Sequence, residues 1–492
     1  KERAKQKPHK TNYQKSKTKN KTETKSTMKL SRSAVLAFAA AGFSTNHGLT
    51  HAADRLLVDG AGGEGHNWWE FGLDDPIADE VALFYLGHTF FQGADVGEVL
   101  ETIYRTNHSD PWSWSVEFTK TAERLEANGK EFEEEGHALS AGQSLLRAAT
   151  YRRASLHRHP DPYHEEVAVI TQQAVDNFDQ FLKLTEYPCE AVRIPYEDTS
   201  LPGYLCINKD AANPAPTIIY NQGKDGWMED GKHTVDESMK RGYHVLLYDG
   251  PGMGRTIRLQ ELPFRHDWEN VISPIIDYLE EQPKVDKDNL ALISLSLGGF
   301  LAPRAACFEH RLKALIPNPG VVNWYRVYES ELQLLASAFG FGPEIFELLE
   351  SDPAAFDEEV LQMMIVSDFV YWGFVDSMWH HGVDSPSALM NEIKRFDIED
   401  LMGNITTATL VVDADAETRA QAPELYEGLT GAVKKDYLKF SAEEAAQFHD
   451  QPGAMGIQSA RIFNWLDDVL EPKTAAPGEE DVVVDRLGSS SA

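Results

Sequence analysis

The chain has 492 residues, more than one hydrophobic core usually supports, so we expect a main domain with accessory units. It carries 78 aspartates and glutamates against 46 lysines and arginines, a formal net charge of −32. Because an acidic surface repels phosphate backbones and anionic lipids, this composition argues against nucleic acid and membrane partners.

The first 52 residues are predicted to lie outside the folded domains. Residues 1–27 are rich in lysine and threonine and almost free of apolar side chains, which indicates a disordered upstream extension. Residues 28–52 start with a basic stretch, continue with the apolar run 34–43 and end in small residues, a pattern typical of a secretory signal peptide. The run is about half of the roughly 20 residues that a spanning helix needs, so we expect a secreted protein without a membrane anchor.

Helical periodicity with scattered aromatic side chains predicts an N-terminal helical domain over residues 53–185. Sequons at Asn107 and Asn404 are predicted glycosylation sites, provided that the chain is secreted. The histidines within residues 157–164 surround a Pro-Asp-Pro turn and lack the spacing of ligands on one helix face, so no metal site is predicted.

Short apolar segments typical of β-strands follow from residue 189 and soon alternate with helices. This alternation predicts an α/β fold with a mostly parallel, doubly wound sheet, whose first part lies in residues 186–323 and second part in residues 401–470. Only three cysteines occur. Cys189 and Cys206 flank a predicted hairpin turn and are the candidate disulfide pair in an oxidising compartment.

The segment from residue 294 to residue 299 reads Ser-Leu-Ser-Leu-Gly-Gly and joins a predicted buried strand to a predicted helix. Small residues flank Ser296 on both sides at a spacing of two, which a tight strand-to-helix turn requires. Such a turn projects its central side chain, so Ser296 is the candidate nucleophile. The alternative is an ordinary helix start with a serine cap.

Residues 324–400 form an insertion between two predicted strands that is far longer than an ordinary connection. We predict a helical lid whose aromatic side chains face either the core or a substrate. These are Trp324, Tyr325, Phe339, Phe341, Phe369, Tyr371, Trp372, Phe374 and Trp379. The tail over residues 471–492 is predicted to be disordered.

Partners for the serine are expected where later strands end, because catalytic groups of an open parallel sheet collect at the carboxyl ends of its strands. One such loop carries Asp413, Asp415 and Glu417. Glu417 is favoured because it lies further into the loop and can reach back to an imidazole, and the two aspartates remain alternatives. The next strand leads to His449. The order serine, acid, histidine is that of the α/β-hydrolase fold.

The loop over residues 221–226 follows another strand, and its glycines let the backbone approach a ligand closely. We expect the backbone N–H of Lys224, or that of Gly223, to form an oxyanion hole with the N–H of Leu297, each donor being worth about 3 kcal/mol. The glycine-rich loop over residues 250–255 lacks the full pattern of a dinucleotide-binding turn, so no cofactor is predicted.

Four stretches together resemble a known family, and they lie at residues 241–254, 262–269, 294–306 and 446–449. They are similar to motifs of the family of 2,6-dihydropseudooxynicotine hydrolase and the fungal heptaketide-shortening hydrolases of pigment biosynthesis. The likeness runs from about residue 91 to residue 470. It implies an α/β-hydrolase that uses a serine, acid and histidine triad, is often a homodimer and cleaves a carbon–carbon bond next to a ketone.

The resemblance also suggests roles for individual residues. The triad aspartate of the family falls on Glu417, so a glutamate would serve here. A further carboxylate assists catalysis in part of the family, and Glu329 is its candidate counterpart. Trp112 of the N-terminal domain lies within the likeness and is a further candidate for facing the substrate. Trp372 is another candidate, but on the aromatic content of the insertion and not on the resemblance.

The sequence therefore predicts a secreted serine hydrolase that needs no cofactor and acts on a small molecule. Its reaction would be cleavage of a carbon–carbon bond adjacent to a ketone, or of an ester, in an aromatic or polyketide-type secondary metabolite. The alternatives are a secreted carboxylesterase or peptidase of the same fold, and a hydrolase-like protein that binds a metabolite without catalysis.

Overall fold

A computed structural model describes residues 76–107, 110–338, 342 and 344–472. The predicted extension at residues 1–27 and the predicted signal peptide at residues 28–52 lie outside the described residues, as does the tail from residue 473 onward. Within the described ranges, no helix is long and apolar enough to cross a membrane. The two sequon asparagines, Asn107 and Asn404, are exposed.

From Pro76 onward, where the structure begins to describe the chain, five α-helices precede the sheet. They are α1 (Pro76–Gly87), α2 (Val96–Arg105), α3 (Ser113–Glu134), α4 (Ala138–His157) and α5 (Glu165–Leu184). Helix α4 is rich in alanine and serine, and these small side chains let α3 and α5 pack closely against it. Arg153 of α4 is almost fully buried, and its guanidinium lies 2.9 Å from the carboxylate of Asp230. Asp230 also accepts a hydrogen bond from His88. This network ties the helices to the sheet domain.

The sheet has eight strands. They are β1 (Cys189–Tyr196), β2 (Thr199–Cys206), β3 (Ala215–Asn221), β4 (His244–Tyr248), β5 (Val285–Leu295), β6 (Leu312–Asn318), β7 (Ala408–Ala414) and β8 (Lys435–Phe440). Their order is β1-β2-β4-β3-β5-β6-β7-β8, with β2 antiparallel to β1 and β4 and all other pairs parallel. The predicted fold class is confirmed.

Eleven further α-helices are described after β3. They are α6 (Lys232–Met239), α7 (Gly254–Gln260), α8 (Glu269–Glu280), α9 (Gly298–Ala306), α10 (Trp324–Ala338), α11 (Glu344–Ser351), α12 (Pro353–Val366), α13 (Asp368–His381), α14 (Pro386–Ile393), α15 (Ala422–Gly428) and α16 (Met455–Leu470). Helices α8 and α9 cover one face of the sheet, and α6, α16 and α5 cover the other. Both faces of the central strands are therefore buried, which explains their continuous apolar sequences.

Helices α10 to α14 lie in the insertion between β6 and β7. Of the aromatic residues that the sequence places there, Phe339 and Phe341 lie outside the described residues, as does the side chain of Phe369. Trp324 and Phe374 are buried. The insertion packs against the core on the face of α8 and α9.

The hairpin of β1 and β2 places Cys189 directly opposite Cys206, and the two form the predicted disulfide. The bridge closes a short loop, since the two cysteines are 17 positions apart.

Replacing both cysteines with serine is expected to lower the free energy of unfolding by about 3 kcal/mol, because the unfolded chain regains the entropy of that loop. Urea unfolding of both proteins measures the difference. Dithiothreitol should lower the midpoint of the parent protein and leave that of the variant unchanged; an equal response would contradict the prediction.

Candidate active site

Ser296 lies in the tight turn between β5 and α9. Its φ angle is 55°, in the left-handed region that a non-glycine residue adopts only at a cost of about 1–3 kcal/mol. The turn is held by a hydrogen bond from the Ser296 N–H to the carbonyl oxygen of Asn318 at 2.8 Å. A Cβ atom on Gly299 would lie 1.8 Å from the carbonyl oxygen of Pro319, so only glycine fits there. The sequence thus fixes a strained turn that projects the serine side chain.

A continuous chain of hydrogen bonds starts at this serine. His449 Nε2 lies 2.9 Å from Ser296 Oγ, and His449 Nδ1 lies 2.7 Å from a carboxylate oxygen of Glu417. The other oxygen of Glu417 accepts a hydrogen bond from the backbone N–H of Arg419 at 2.7 Å, and the glutamate side chain is fully buried. A serine hydroxyl in this arrangement can pass its proton to the imidazole, and the carboxylate fixes the tautomer of the ring.

The two alternative acids do not reach the imidazole. Asp413 accepts a hydrogen bond from the Tyr437 hydroxyl. Asp415 accepts one from the backbone N–H of Ala442 at 3.0 Å and lies 3.3 Å from the ammonium of Lys439. Of the three candidate carboxylates, the structure therefore brings only Glu417 to the histidine.

Asp450 is a second carboxyl group at the serine, and the sequence analysis did not single it out. One of its oxygens accepts a hydrogen bond from the Ser296 N–H at 3.1 Å, and the other lies 3.5 Å from His449 Nε2. Its φ angle is 59°, and this left-handed backbone turns the side chain toward the serine. The direction of the Asp450 side chain depends on this φ angle. Composition and residue spacing therefore could not show that Asp450 points at the serine.

The electrostatics of the site follow from burial and from these carboxylates. Burial disfavours a charged imidazole, but Asp450 and Glu417 outweigh it and raise the pKa of His449 to about 9. Burial and the nearby carboxylate of Glu417 raise the pKa of Asp450 to about 6, against the pull of His449. Burial would raise the pKa of Glu417, but His449 keeps it below its usual value. At neutral pH the histidine therefore faces two carboxylates.

The predicted oxyanion donors lie beside the serine. A Cβ atom on Gly223 would lie 2.6 Å from the Cβ of Ser296 and 3.1 Å from the backbone nitrogen of Leu297, which shows how closely the loop after β3 approaches the turn. Within the described part of the chain, the N–H groups of Leu297 and Lys224 donate to no protein acceptor. Both remain available to an oxygen of a bound molecule.

Ser296 and His449 open into a cavity of about 210 Å³. Its walls come from α1, from the loop after β3 and from the insertion, and they carry both aromatic and charged side chains. The aromatic ones are Phe84, Trp324, Tyr328, Trp372 and Phe374. Trp372 thus lines the cavity, as the sequence analysis suggested.

Two other suggested residues do not line this cavity. Trp112 lies at the start of α3, where its ring meets those of His159 and His164 with centroids 5.0 and 5.6 Å apart. Glu329 lies on α10 beside Tyr325, whose pKa burial and this glutamate raise to about 12. The structure thus does not bring either residue into the lining of this cavity, and their contact with a substrate stays a prediction.

The helical period explains why Glu329 of α10 does not line the cavity. Residues 324, 327, 328, 331 and 332 of this helix line the cavity, and they share one face at spacings of three and four. Residue 329 lies off that face, whereas Glu331 lies on it. The spacing of these residues can be read from the sequence, but the sequence does not show which face of α10 meets the cavity.

An ion-pair network joins the N-terminal helices to the cavity wall. Arg419 pairs with Glu80 of α1 at 2.8 Å and with Glu331 at 3.2 Å. Burial would raise the pKa of Glu80, but the arginine outweighs it and lowers the pKa to about 2. Glu80 and Arg419 are 339 positions apart, so no local pattern could predict their contact.

Two groups of side chains have the composition of metal sites. His159, His164 and Glu166 form one group, and Asp225, Asp376 and His380 form the other. In the first group, His159 Nε2 and a carboxylate oxygen of Glu166 form a hydrogen bond at 3.1 Å. In the second, the ammonium of Lys224 lies 2.8 Å from Asp376 and 3.7 Å from Asp225 and supplies the positive charge.

Comparison with known proteins gives two family matches. A family described as "Alpha/beta hydrolase family" matches residues 220–444, and one described as "Esterase FrsA-like" matches residues 98–331. The chain is 28% identical over 409 residues to "20-hydroxy-prefusarin hydrolase FUS2" of Gibberella moniliformis, covering 80% of this chain and 96% of the relative. It is 27% identical over 442 residues to "Alpha/beta hydrolase psoB" of Aspergillus fumigatus, covering 83% and 97%.

Solved structures agree on the fold. The crystal structure of 2,6-dihydroxy-pseudo-oxynicotine hydrolase matches with a TM-score of 0.60 at 18% identity, covering 78% of this chain and 95% of that one. The structure of AbyA5 matches with a TM-score of 0.57 at 15% identity, covering 81% and 96%. These matches confirm the resemblance that the sequence motifs indicated. The fold of this chain is therefore that of the α/β-hydrolases, and the matching family and the similar hydrolases support an enzyme of that superfamily.

Proposed function

We propose that this enzyme is a serine hydrolase in which Ser296 is the nucleophile, His449 the general base and Glu417 the acid that orients the imidazole. The observation that carries the proposal is the unbroken chain of hydrogen bonds from Ser296 Oγ through both ring nitrogens of His449 to the buried carboxylate of Glu417. Its position at the wall of a cavity supports access of a small molecule to the serine.

The reaction follows from this geometry. His449 Nε2 takes the proton of Ser296 as Oγ attacks a carbonyl carbon, and the N–H groups of Leu297 and Lys224 stabilise the oxyanion. His449 then returns the proton to the leaving group. Water, deprotonated by the same imidazole, attacks the acyl-enzyme and releases an acid.

The proposed substrate is a conjugated ketone that is cleaved at the carbon–carbon bond beside a carbonyl group. Four aromatic side chains of the insertion line the cavity and suit a flat, conjugated molecule: Trp324, Tyr328, Trp372 and Phe374. The motif resemblance and the names of the similar hydrolases support an organic metabolite as the substrate class. In this reaction the leaving group is an enolate, which takes its proton on carbon.

Ester hydrolysis is the second candidate, since the same residues would perform it and one matching family is described as esterase-like. Assay of the purified protein with 1-phenylbutane-1,3-dione and with 4-nitrophenyl butyrate separates the two. We expect release of acid from both substrates. Release from the ester alone would contradict carbon–carbon cleavage, and hydrolysis of neither by the folded protein would contradict the proposed hydrolase.

The pH dependence of kcat/KM should report the pKa of His449, because only the neutral imidazole can accept the serine proton. Since this pKa is raised to about 9, activity should rise with pH along a limb centred near 9. Glu417, Asp450 and Arg419 face the ring, and Glu80 also acts on its charge. Above its own pKa of about 6, Asp450 is an anion that favours the imidazolium.

The Asp450→Asn variant should therefore shift this limb to lower pH, since one of the carboxylates that hold the proton on the ring is lost. Asp415→Asn is the control, because Asp415 does not contact the imidazole, and its limb should match that of the parent protein. A limb that stays in place in Asp450→Asn would contradict the assigned cause of the raised pKa.

We also propose that residues 28–52 direct secretion. The buried disulfide between Cys189 and Cys206 and the exposed sequon asparagines Asn107 and Asn404 support an oxidising, extracellular destination. Expression from Met28 in a fungal host, followed by mass spectrometry of the medium, tests this proposal. We expect a mature chain that starts near residue 53 and carries glycans; full-length protein retained in cells would contradict it.

A further inference from the structure

The side chain of Lys224 forms part of the cavity wall, apart from the proposed role of its backbone N–H. Its ammonium lies 2.8 Å from Asp376 and 3.3 Å from the hydroxyl of Ser377, and 4.9 Å above the ring of Trp372. The Ser377 hydroxyl lies 2.7 Å from that of Tyr328. We call Lys224, Tyr328, Asp376 and Ser377 the Lys224 cluster.

The burial of this cluster is costly in free energy. The side chains of Lys224 and Asp376 are only 11% and 13% exposed. An ion pair removed from water in this way loses several kcal/mol of hydration per ion, and an apolar pair of similar size is often no less stable. The cluster is therefore poorly explained by stability, and three of its members, Lys224, Tyr328 and Ser377, line the cavity that contains Ser296.

The hydrogen-bonding capacity of the cluster points to an oxygen acceptor. A lysine ammonium has three N–H donors; the Ser377 hydroxyl accepts one, and the ion pair with Asp376 engages at most one more. Together the tyrosine and serine hydroxyls have two protons, and only one is needed for the bond between them. A carbonyl oxygen that enters the cavity beside Lys224 can therefore accept hydrogen bonds from the cluster.

The charges around the cluster select against an anionic ligand. Asp376 already neutralises Lys224, and Asp225, Glu331 and Asp450 add negative charge to the same cavity. Arg419 and the protonated His449 oppose only part of this negative charge, because Arg419 is paired with Glu80 and Glu331 and His449 with Glu417 and Asp450. A carboxylate or phosphate would bring a full negative charge into this cavity and would be repelled. A neutral ketone or enol binds without that cost, and charge develops on its oxygen only during the reaction, directly beside the ammonium of Lys224.

We propose that the Lys224 cluster binds the second oxygen of a β-dicarbonyl substrate, the oxygen that carries the negative charge when the carbon–carbon bond breaks. This inference rests on the proposed serine hydrolase function. The loop that holds Lys224 lies against Ser296, so one residue offers its backbone N–H to the attacked carbonyl and its ammonium to the second oxygen.

The reaction then balances without any further reactant than water. The bond between Ser296 Oγ and the attacked carbon forms, and the bond from that carbon to its neighbour breaks. The electron pair moves onto the second oxygen as an enolate beside Lys224 Nζ, and the proton that His449 took from the serine is delivered to the enolate carbon. Water releases the acyl group, so a diketone and water give an acid and a ketone.

Inhibition constants test the proposal without requiring a natural substrate. 1-Phenylbutane-1,3-dione has the second oxygen, and butyrophenone lacks it. Both are measured as competitors of 4-nitrophenyl butyrate hydrolysis. In the parent protein we expect the diketone to bind about 10- to 100-fold more tightly than the monoketone, as for a hydrogen bond to a charged group.

The Lys224→Met variant should reduce this preference to about twofold or less. We expect the inhibition constant of the diketone to rise and that of the monoketone to stay unchanged. Tyr328→Phe leaves no unpaired charge behind, and we expect it to reduce the preference several-fold. Lys240→Met is the matched control, because Lys240 is exposed and pairs with Glu237 on the surface, and it should retain the full preference.

The outcomes separate this inference from the function on which it rests. A parent protein that hydrolyses the ester but binds both ketones equally overturns the inference and leaves the serine hydrolase standing. Equal losses for both ketones in Lys224→Met also overturn it, because they would show a general effect on the cavity. Failure of the folded parent protein to hydrolyse the ester would overturn the proposed function itself.

Discussion

Replacing Ser296 with alanine is expected to lower kcat/KM for 4-nitrophenyl butyrate by about 10⁴-fold or more. The variant loses the hydroxyl that the His449 imidazole activates for attack on the substrate, since Ser296 Oγ is its partner at Nε2. Residual hydrolysis would come from the oxyanion donors and from binding alone, which are typically worth about 10³- to 10⁴-fold over water. Initial rates at several substrate concentrations measure the loss.

Ser294→Ala is the matched control for this prediction. Ser294 lies two residues earlier, near the end of β5; its hydroxyl donates to the carbonyl oxygen of Ile316 at 3.3 Å, and the residue does not line the cavity. We expect this variant to retain activity within about tenfold, with thermal unfolding showing that both variants fold. Comparable losses in the two variants would attribute the effect to the turn and not to the hydroxyl of Ser296.

The Glu417→Gln variant is expected to lose about 10³- to 10⁴-fold in kcat. The amide cannot stabilise the imidazolium that forms during attack, and its NH₂ group favours the wrong tautomer of His449. KM should change little, because the glutamate side chain is fully buried behind the histidine and does not line the cavity. Steady-state kinetics at fixed pH separate the two constants.

Asp415→Asn is the control for the choice of acid, because it removes a carboxylate from the same loop that does not contact His449. We expect its kcat to stay within about threefold of the parent value. A large loss in Asp415→Asn together with a small one in Glu417→Gln would contradict the assignment of Glu417.

Local patterns in the sequence were sufficient for the fold and for the turn at Ser296. Short apolar strands that alternate with helices predicted the parallel sheet, and small residues around the serine predicted the tight turn. The acid was harder, because three carboxylates share one loop. Depth in the loop favoured Glu417, and the structure brings that residue to the imidazole.

Other parts of the site depend on geometry that a sequence does not display. Asp450 points at the serine because of a left-handed backbone angle. Glu331 lines the cavity in place of Glu329 because of the rotation of α10 about its axis. The pairing of Arg419 with Glu80 joins distant parts of the chain, and the role proposed for the Lys224 side chain depends on its contacts with the insertion. The sequence predicts the helices and strands that carry these residues, but it does not show how those elements are placed against one another.

Mass spectrometry of the folded protein after reaction with a fluorophosphonate tests the nucleophile most directly. We expect one covalent adduct per chain, located on Ser296, because His449 and the N–H of Leu297 are placed to activate that hydroxyl and to stabilise the resulting oxyanion. The adduct should be absent from Ser296→Ala. An unlabelled parent protein, or an adduct on any other residue, would contradict the proposed mechanism.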